Sequence, residues 1–358
     1  MSLQKYVIND SIDIPKKDWQ ELKDRYKQQE LVDALNSLVE ENNIEFRLRG
    51  ATLDRCRNDY ETLKEFDTSI LLTKEEWKSK FEYRYALNKV YISKTSIGKN
   101  ASNYFMQEER HKVSSHNKSS IHNAWYDKKL RTQTFNALFT MKRTHVNNST
   151  ILQTAECKHY LPSAFRPTAA KTIYDLCKAK RILDMSAGWG DRLVASCGRE
   201  YLGFDPNTKL QSKYEQIIQT HNLNAEIQPT PFEDSNLPDN FFDVMFSSPP
   251  YFACELYSDE DTQSCNRYKT VNTWLNNFLF KSIDKIYYSL TTGGTLAINI
   301  SDINIKGKRQ FICDKMNDYI GGKGFTYLGC IGLQLSKLPN TQSKTTTIFG
   351  EPIWIWRK

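Results

Sequence analysis

The strongest constraint on this chain's fold is the regular alternation of short apolar runs and helical patterns over its second half. Residues 181–185 (RILDM), 201–205 (YLGFD), 224–229 (NAEIQP), 242–246 (FDVMF) and 295–300 (TLAINI) read as strands. Helical patterns over 191–197, 208–220 and 271–290 lie between them. Parallel strands need long crossover connections and helices supply them, so this order implies a mostly parallel sheet with helices on both faces. The last two runs, 323–334 and 345–356, flank a polar stretch and read as an antiparallel hairpin at the sheet edge. The expected fold class is α/β: a Rossmann-like, seven-stranded, mostly parallel sheet with an antiparallel C-terminal hairpin, preceded by a mainly helical N-terminal domain.

That division is expected at residues 1–150 and 151–358. The first stretch carries Trp19, Leu22, Tyr26, Leu31, Ala34, Leu35 and Leu38 at helical spacing, predicting one helix over 16–41. A second helix is expected over 53–66, and Thr73-x-x-Glu76 ahead of Trp77 resembles a capping box for a third. Residues 95–120 are polar and read as loop, and 129–140 as a helix. No apolar run approaches the roughly 20 residues of a membrane span, and the start lacks a signal-peptide core. The expected setting is the cytoplasm, or the nucleus in a eukaryotic cell, with no membrane partner. The eight cysteines form no C-x-x-C pair, so neither a zinc ribbon nor a disulfide framework is expected.

The formal net charge is +7, but it is unevenly placed. Residues 89–181 carry 17 basic against 5 acidic side chains, while the flanking parts are mildly acidic. His111, His116, His122, His145 and His159 also lie there, without metal-like spacing, and Tyr104, Phe105, Trp125, Tyr126, Phe135 and Phe139 interleave with the charges. Basic side chains neutralise phosphates and aromatic faces stack on bases, so this composition suits a nucleic-acid surface. A solvated basic face over ordinary core aromatics is the competing reading. Lys112, Lys118, Lys128, Lys129, Arg131, Lys142 and Arg143 are the candidate nucleic-acid contacts.

The run Leu183-Asp184-Met185-Ser186-Ala187-Gly188-Trp189-Gly190-Asp191-Arg192 leaves a strand, turns through glycines and enters a helix. Glycines there let the backbone approach a ligand. Leu193 stands where a dinucleotide fingerprint would have its third glycine. Asp205 ends the next strand, placed to accept hydrogen bonds from two ribose hydroxyls. G-x-G alone is compatible with a nicotinamide or flavin enzyme or a simple tight turn. With Asp184 before it and Asp205 after it, the set points to an adenosyl ribose.

This arrangement resembles the S-adenosylmethionine site of class I methyltransferases. The resemblance implies that Asp184, Ser186, Ala187, Gly188 and Gly190 lie against the cofactor's methionine part. It gives the ribose to Asp205 and Pro206, and puts Phe232, Glu233 and Asp234 near the adenine. Phe165 and Pro167, in Phe165-Arg166-Pro167-Thr168, resemble the family's N-terminal lid over the methionine end, and Ser247 is expected to line the same cofactor site.

A fourth strand ends in Ser247-Ser248-Pro249-Pro250-Tyr251. Consecutive prolines fix φ and lack N–H groups, which stiffens the loop and leaves its carbonyls free. The sequence resembles the Ser-Pro-Pro-Tyr form of the motif of amino methyltransferases, which modify exocyclic nitrogens of nucleobases. The resemblance implies that Ser248 and the Pro249 carbonyl accept the two amine N–H bonds, freeing the lone pair for in-line attack. Tyr251 would stack on a base flipped out of its duplex. Within the family, serine in the first position favours N4-cytosine over N6-adenine. Glu255, Tyr257 and Ser258, just beyond, are candidates for the base pocket. The expected function is transfer of a methyl group from S-adenosylmethionine to DNA. The alternatives are an RNA base methyltransferase and a non-catalytic nucleic-acid-binding subunit. Only 57 residues separate Gly190 from Ser248, so any sequence-reading module is expected N-terminally.

Overall fold

The computed structural model describes residues 2–87, 89–115, 117–305, 307–335 and 347–358. His116 and the start of the strand expected from 345 lie outside them. The chain forms two compact units, Met1–Ala51 with Gln107–Ser163, and Thr52–Met106 with Ala164–Lys358. The linear boundary at 150/151 is therefore not where the chain divides in space. Residues 52–106 supply strands to the sheet, and the helix Asn148–Lys158 completes the helical core.

The first unit is helical, with helices at Lys16–Arg25, Gln28–Glu41, Ile121–Tyr126, Lys128–Thr140 and Asn148–Lys158. Trp19, Leu31, Leu35, Phe135, Leu138 and Val146 form its core. The single helix expected over 16–41 is broken at Tyr26, whose backbone is extended. Glu30 caps the restart by accepting from the Lys27 amide at 2.8 Å, a local bond that competes with helix continuation.

The second unit is built on a sheet whose main strands are β1 (Arg181–Asp184), β2 (Glu200–Phe204), β3 (Ala225–Gln228), β4 (Phe242–Ser247), β5 (Leu290–Asn299), β6 (Thr326–Gln334) and β7 (Ile348–Arg357). They lie in the order β3-β2-β1-β4-β5-β7-β6. Pairing is parallel from β3 through β5, and β7 runs antiparallel to both β5 and β6. Val244, Met245 and Phe246 of β4 are all buried, as a parallel strand covered on both faces requires. The strand order reverses at β1, which opens a crevice at the carboxyl ends of β1 and β4, the usual ligand position in such sheets.

Among the described residues the sheet has ten strands rather than seven. Leu72–Thr73, Trp77–Lys78 and Tyr91–Ile92 pair at or beside the β6–β7 end. No helix follows the capping-box pattern at Thr73. Instead Trp77 lies flat on Gly332 and Gly350, where an added Cβ would come within 2.5 and 2.8 Å of its ring. Burying an indole outweighs the small gain from a cap. The segment 95–120, expected as loop, contains the helix Lys99–Lys112. Its start is capped from a distance: Asp59 accepts from the amides of Gly98 and Asn100 at 3.0 and 2.7 Å. The expected helix over 271–290 forms as Val271–Trp274 and Lys281–Ser289 around a π-helical turn at Leu275–Phe280. No helix among the described residues is long and apolar enough to cross a membrane.

Candidate active site

At the end of β1 the Asp184 carboxylate is fully buried. It accepts from Arg192 Nε at 2.7 Å, the Tyr201 hydroxyl at 2.6 Å, the Ser247 hydroxyl at 2.7 Å and the Ser186 amide at 3.1 Å. Burial opposes the Arg192 charge, but Asp184 more than restores it, leaving the guanidinium pKa above its ordinary value. Arg192 also donates to the Ser186 carbonyl. Asp184 and Ser247, expected against the cofactor, instead hold each other and the glycine turn from beneath. Their acceptors and donors are already used.

The turn itself is open on one side. Gly188 and Gly190 have φ of +61° and +75°, which L side chains avoid. A Cβ on Gly190 would meet Ile217 at 2.9 Å, so that glycine serves packing. A Cβ on Gly188 would meet nothing nearer than 3.7 Å, so the backbone there is approachable. The Ala187 amide donates to the Phe204 carbonyl at 2.8 Å, fixing the turn to β2. Ser186 Oγ lies 3.4 Å from both Ser247 Oγ and the Ser248 carbonyl, so the loops after β1 and β4 meet.

Beyond β2, the Asp205 carboxylate accepts from the Asn207 amide at 2.9 Å and the Tyr214 hydroxyl at 2.8 Å. Burial pushes its pKa up to about 6, against the pull of these donors and of the Gly188 amide. Two oxygens offer about four acceptor positions, so with these three donors in place about one position remains for a ribose hydroxyl. Pro206 follows directly, and its carbonyl accepts from the Thr262 hydroxyl at 3.4 Å.

The loop after β3 separates its three candidates. Phe232 is 1% exposed and meets Phe204 edge-on at 5.1 Å, so it fills the core rather than facing an adenine. Asp234 faces Arg267 and Lys281 at 2.7 and 3.2 Å on the outside. Glu233 is buried, which raises its pKa, and one of its oxygens takes Arg267 at 2.7 Å and the Tyr268 hydroxyl at 3.0 Å. Residues 257–268 thus run over the loops after β1, β2 and β3. Tyr257 lies 5.9 Å from the Trp189 ring, and Glu260 accepts from the Thr208 amide at 3.2 Å. Tyr257 and Ser258, offered by the sequence as base-pocket residues, belong to this strap, where Ser258 Oγ meets Glu260 at 3.3 Å.

In the Ser248–Tyr251 loop, Pro249 is buried while Ser248, Pro250 and Tyr251 are partly exposed. Phe252, immediately after, has φ +51°, an outlier for a bulky residue of the kind that clusters at functional sites. The Tyr251 hydroxyl reaches the Asn299 carbonyl at 3.4 Å, with Ser248 and Glu351 near enough to influence its ionisation. Burial raises the pKa of Glu351, on β7, against the influence of nearby Tyr251, Asn299 and Arg166. No motif marked Glu351, because only the β5–β7 pairing brings it to the loop. Phe165 lies 5.5 Å from the Arg192 guanidinium and edge-on to Phe246 at 5.6 Å. Pro167 opens the helix Pro167–Leu176 and is buried. Phe165 therefore covers the Asp184–Arg192 pair.

The candidate nucleic-acid contacts of the helical unit fare unevenly. Arg131 is 4% exposed and donates to Asn36, the Trp125 carbonyl and Glu40 at 2.9, 2.7 and 2.7 Å. It is a structural cation and leaves the set. Lys112 pairs with Glu108 and Glu109, Lys128 with Glu40, and Arg143 Nε donates to Thr154. Lys118, Lys129 and Lys142 are exposed. Trp125 and Phe135 lie in the core, and of the six interleaved aromatics only Tyr126 is exposed.

No protein-family model matches the chain. No curated protein matches it either. Among solved structures, it is similar to the tRNA methyltransferase TrmI of Aquifex aeolicus, with 15% identity over 55% of this chain and 70% of that one, at a TM-score of 0.37. It is similar to TehB of Haemophilus influenzae, with 15% identity over 55% and 63%, at 0.38. A third is the 1,6-didemethyltoxoflavin-N1-methyltransferase of Burkholderia thailandensis, with 12% identity over 67% and 91%, at 0.37. At these values the fold rests on the chain's own strand order: a Rossmann-like mixed sheet, mostly parallel, with its open loops at the carboxyl ends of β1, β2 and β4.

Proposed function

We propose that the sheet unit is an S-adenosylmethionine-dependent methyltransferase acting on an exocyclic nucleobase amine in DNA, with N4 of cytosine favoured over N6 of adenine. The observation that carries this reading is the meeting of two loops at the β1 switch point. The approachable Gly188 turn and Asp205 lie on one side, and Ser248–Tyr251 on the other, with Ser186 within 3.4 Å of Ser248.

The residues suit the cofactor. Gly188 leaves room beside the turn, Asp205 keeps about one acceptor position for a ribose hydroxyl, and Glu233 would be the carboxylate near an adenine amine. When bound, S-adenosylmethionine supplies an electrophilic methyl group on sulfur. The remaining work falls to the chain. Ser248 Oγ and the Pro249 carbonyl accept the amine's N–H bonds, which pulls the nitrogen lone pair out of conjugation with the ring. Positioning and fixed dipoles then supply most of the rate. Tyr251, held at its hydroxyl end by the Asn299 carbonyl, presents its ring to the base.

Incubation with methyl-labelled cofactor and either DNA or RNA, followed by mass spectrometry of the nucleosides, tests this reading. Methylated N4-cytosine or N6-adenine from DNA is the expected product. Label confined to RNA would move the substrate to RNA, and no label in either would remove the nucleobase reading. Ser248→Ala should abolish turnover while cofactor binding survives.

A further inference from the structure

We infer that the sheet unit carries its own surface for the substrate strand, formed by residues 78–83, the paired strands Ile303–Ile305 and Lys308–Gln310, and Phe311. This rests on the nucleobase reading above. The hairpin pairs Ile303–Ile305 with Lys308–Gln310. The Arg309 guanidinium lies 4.9 Å from the Phe81 ring, 4.6 Å from Phe311 and 5.6 Å from Tyr83. It is fixed there by the buried Asp302 carboxylate at 2.7 Å and by the Glu82 carbonyl.

Phe311 is 52% exposed. Lys80 lies over Phe81 at 5.3 Å, and Lys78, Lys80 and Lys308 are exposed. Glu82 is the only acid in the two segments. Phe81, Arg309 and Phe311 therefore form a prearranged group of π faces with one ring open to solvent and lysines beside it. An acidic protein segment would use the lysines but leave the rings idle. A single strand uses both, its phosphates on the lysines and a base on the open ring.

The surface adjoins the catalytic loop. Tyr83 shares a 2.8 Å hydrogen bond with Ser301, two residues past Asn299, whose carbonyl accepts from Tyr251.

The test compares the full-length protein with Phe311→Ala, Phe311→Trp and the double change Lys80→Ala with Lys308→Ala. Anisotropy of a labelled single-stranded oligonucleotide is measured over a salt series, with cofactor affinity measured in parallel. Phe311→Ala should weaken strand binding by roughly fivefold or more at an unchanged salt slope, and Phe311→Trp should restore it. The double lysine change should flatten the slope by about 1.4, near 0.7 for each phosphate no longer neutralised. Cofactor affinity should stay constant throughout. If the parent protein methylates oligonucleotides while all variants bind like it, this surface is wrong and the proposed function stands. A parent that methylates no nucleic acid overturns both.

Discussion

If the sheet unit is the methyltransferase proposed, lowering the pH from 7 to 5 should weaken binding of S-adenosylhomocysteine about tenfold through one carboxyl group. Asp205 lies at the end of β2 with its pKa raised to about 6 by burial. A ribose hydroxyl donates to its ionised form, so a protonated Asp205 must lose its proton before it can accept beside its three protein donors. With that pKa, about nine-tenths of the molecules are competent at pH 7 and about one-tenth at pH 5. Calorimetric titrations in buffers of different ionisation enthalpy would count the proton released at the lower pH. Glu233 is also raised by burial, so Glu233→Gln serves as the control that isolates Asp205. Asp205→Asn should bind weakly at every pH and lose most of the pH dependence. A flat profile for the parent, or an undiminished one in Asp205→Asn, would refute the ribose role. The same shift has a consequence for folding. The ordinary value of 3.8 rises to about 6 in the native state. Between those values the native state holds a proton that the unfolded chain has released. This group's contribution to stability therefore declines as pH rises from about 4 to 6 and levels off above, by on the order of 3 kcal/mol.

Three other outcomes follow from the packing. Asp184→Asn leaves Arg192 buried without its counter-charge and should cost about 3–5 kcal/mol in urea unfolding, part of it recovered by adding Arg192→Met. A loss below about 1 kcal/mol would mean the pair is not the support of the turn. Arg131→Met should destabilise the helical unit by about 1–3 kcal/mol, because Asn36 and the Trp125 carbonyl lose a buried partner, whereas Lys129→Ala should be nearly silent. Equal effects on oligonucleotide binding and none on stability would return Arg131 to the surface. Glu351→Gln should lower kcat about tenfold with cofactor affinity unchanged, and should add little to Tyr251→Phe if the two act as one unit. Additive losses would separate them.

Sequence and structure agree where a local pattern carries the physics. Strands β1, β2 and β4 fall where their apolar runs stand, because a buried parallel strand must be apolar whatever surrounds it. The glycine turn at Gly188 and Gly190 was legible because only glycine tolerates those φ values without cost. Local signals failed where distant residues settled the outcome. The capping pattern at Thr73 lost to Trp77 packing on Gly332 and Gly350. The helix Lys99–Lys112 begins on Asp59, about 40 residues earlier, and no local reading could find that cap.

The same distinction runs through the candidate site. Composition located an excess of positive charge between residues 89 and 181, but net charge does not say which cations face water. Folding buried Arg131 and left Lys118, Lys129 and Lys142 exposed. By itself, the sequence determined the α/β alternation, the Gly188 turn, the acid at Asp205 and the stiff Ser-Pro-Pro-Tyr loop, since each depends on a backbone or residue type read within a few positions. Tertiary structure alone decided that Asp184 and Ser247 support the turn from beneath. It also brought Glu351 to Tyr251, Arg267 to Glu233, and Arg309 to Phe81. Those partners lie from 34 to 228 residues apart in the chain, and only strand pairing and crossover packing make them neighbours.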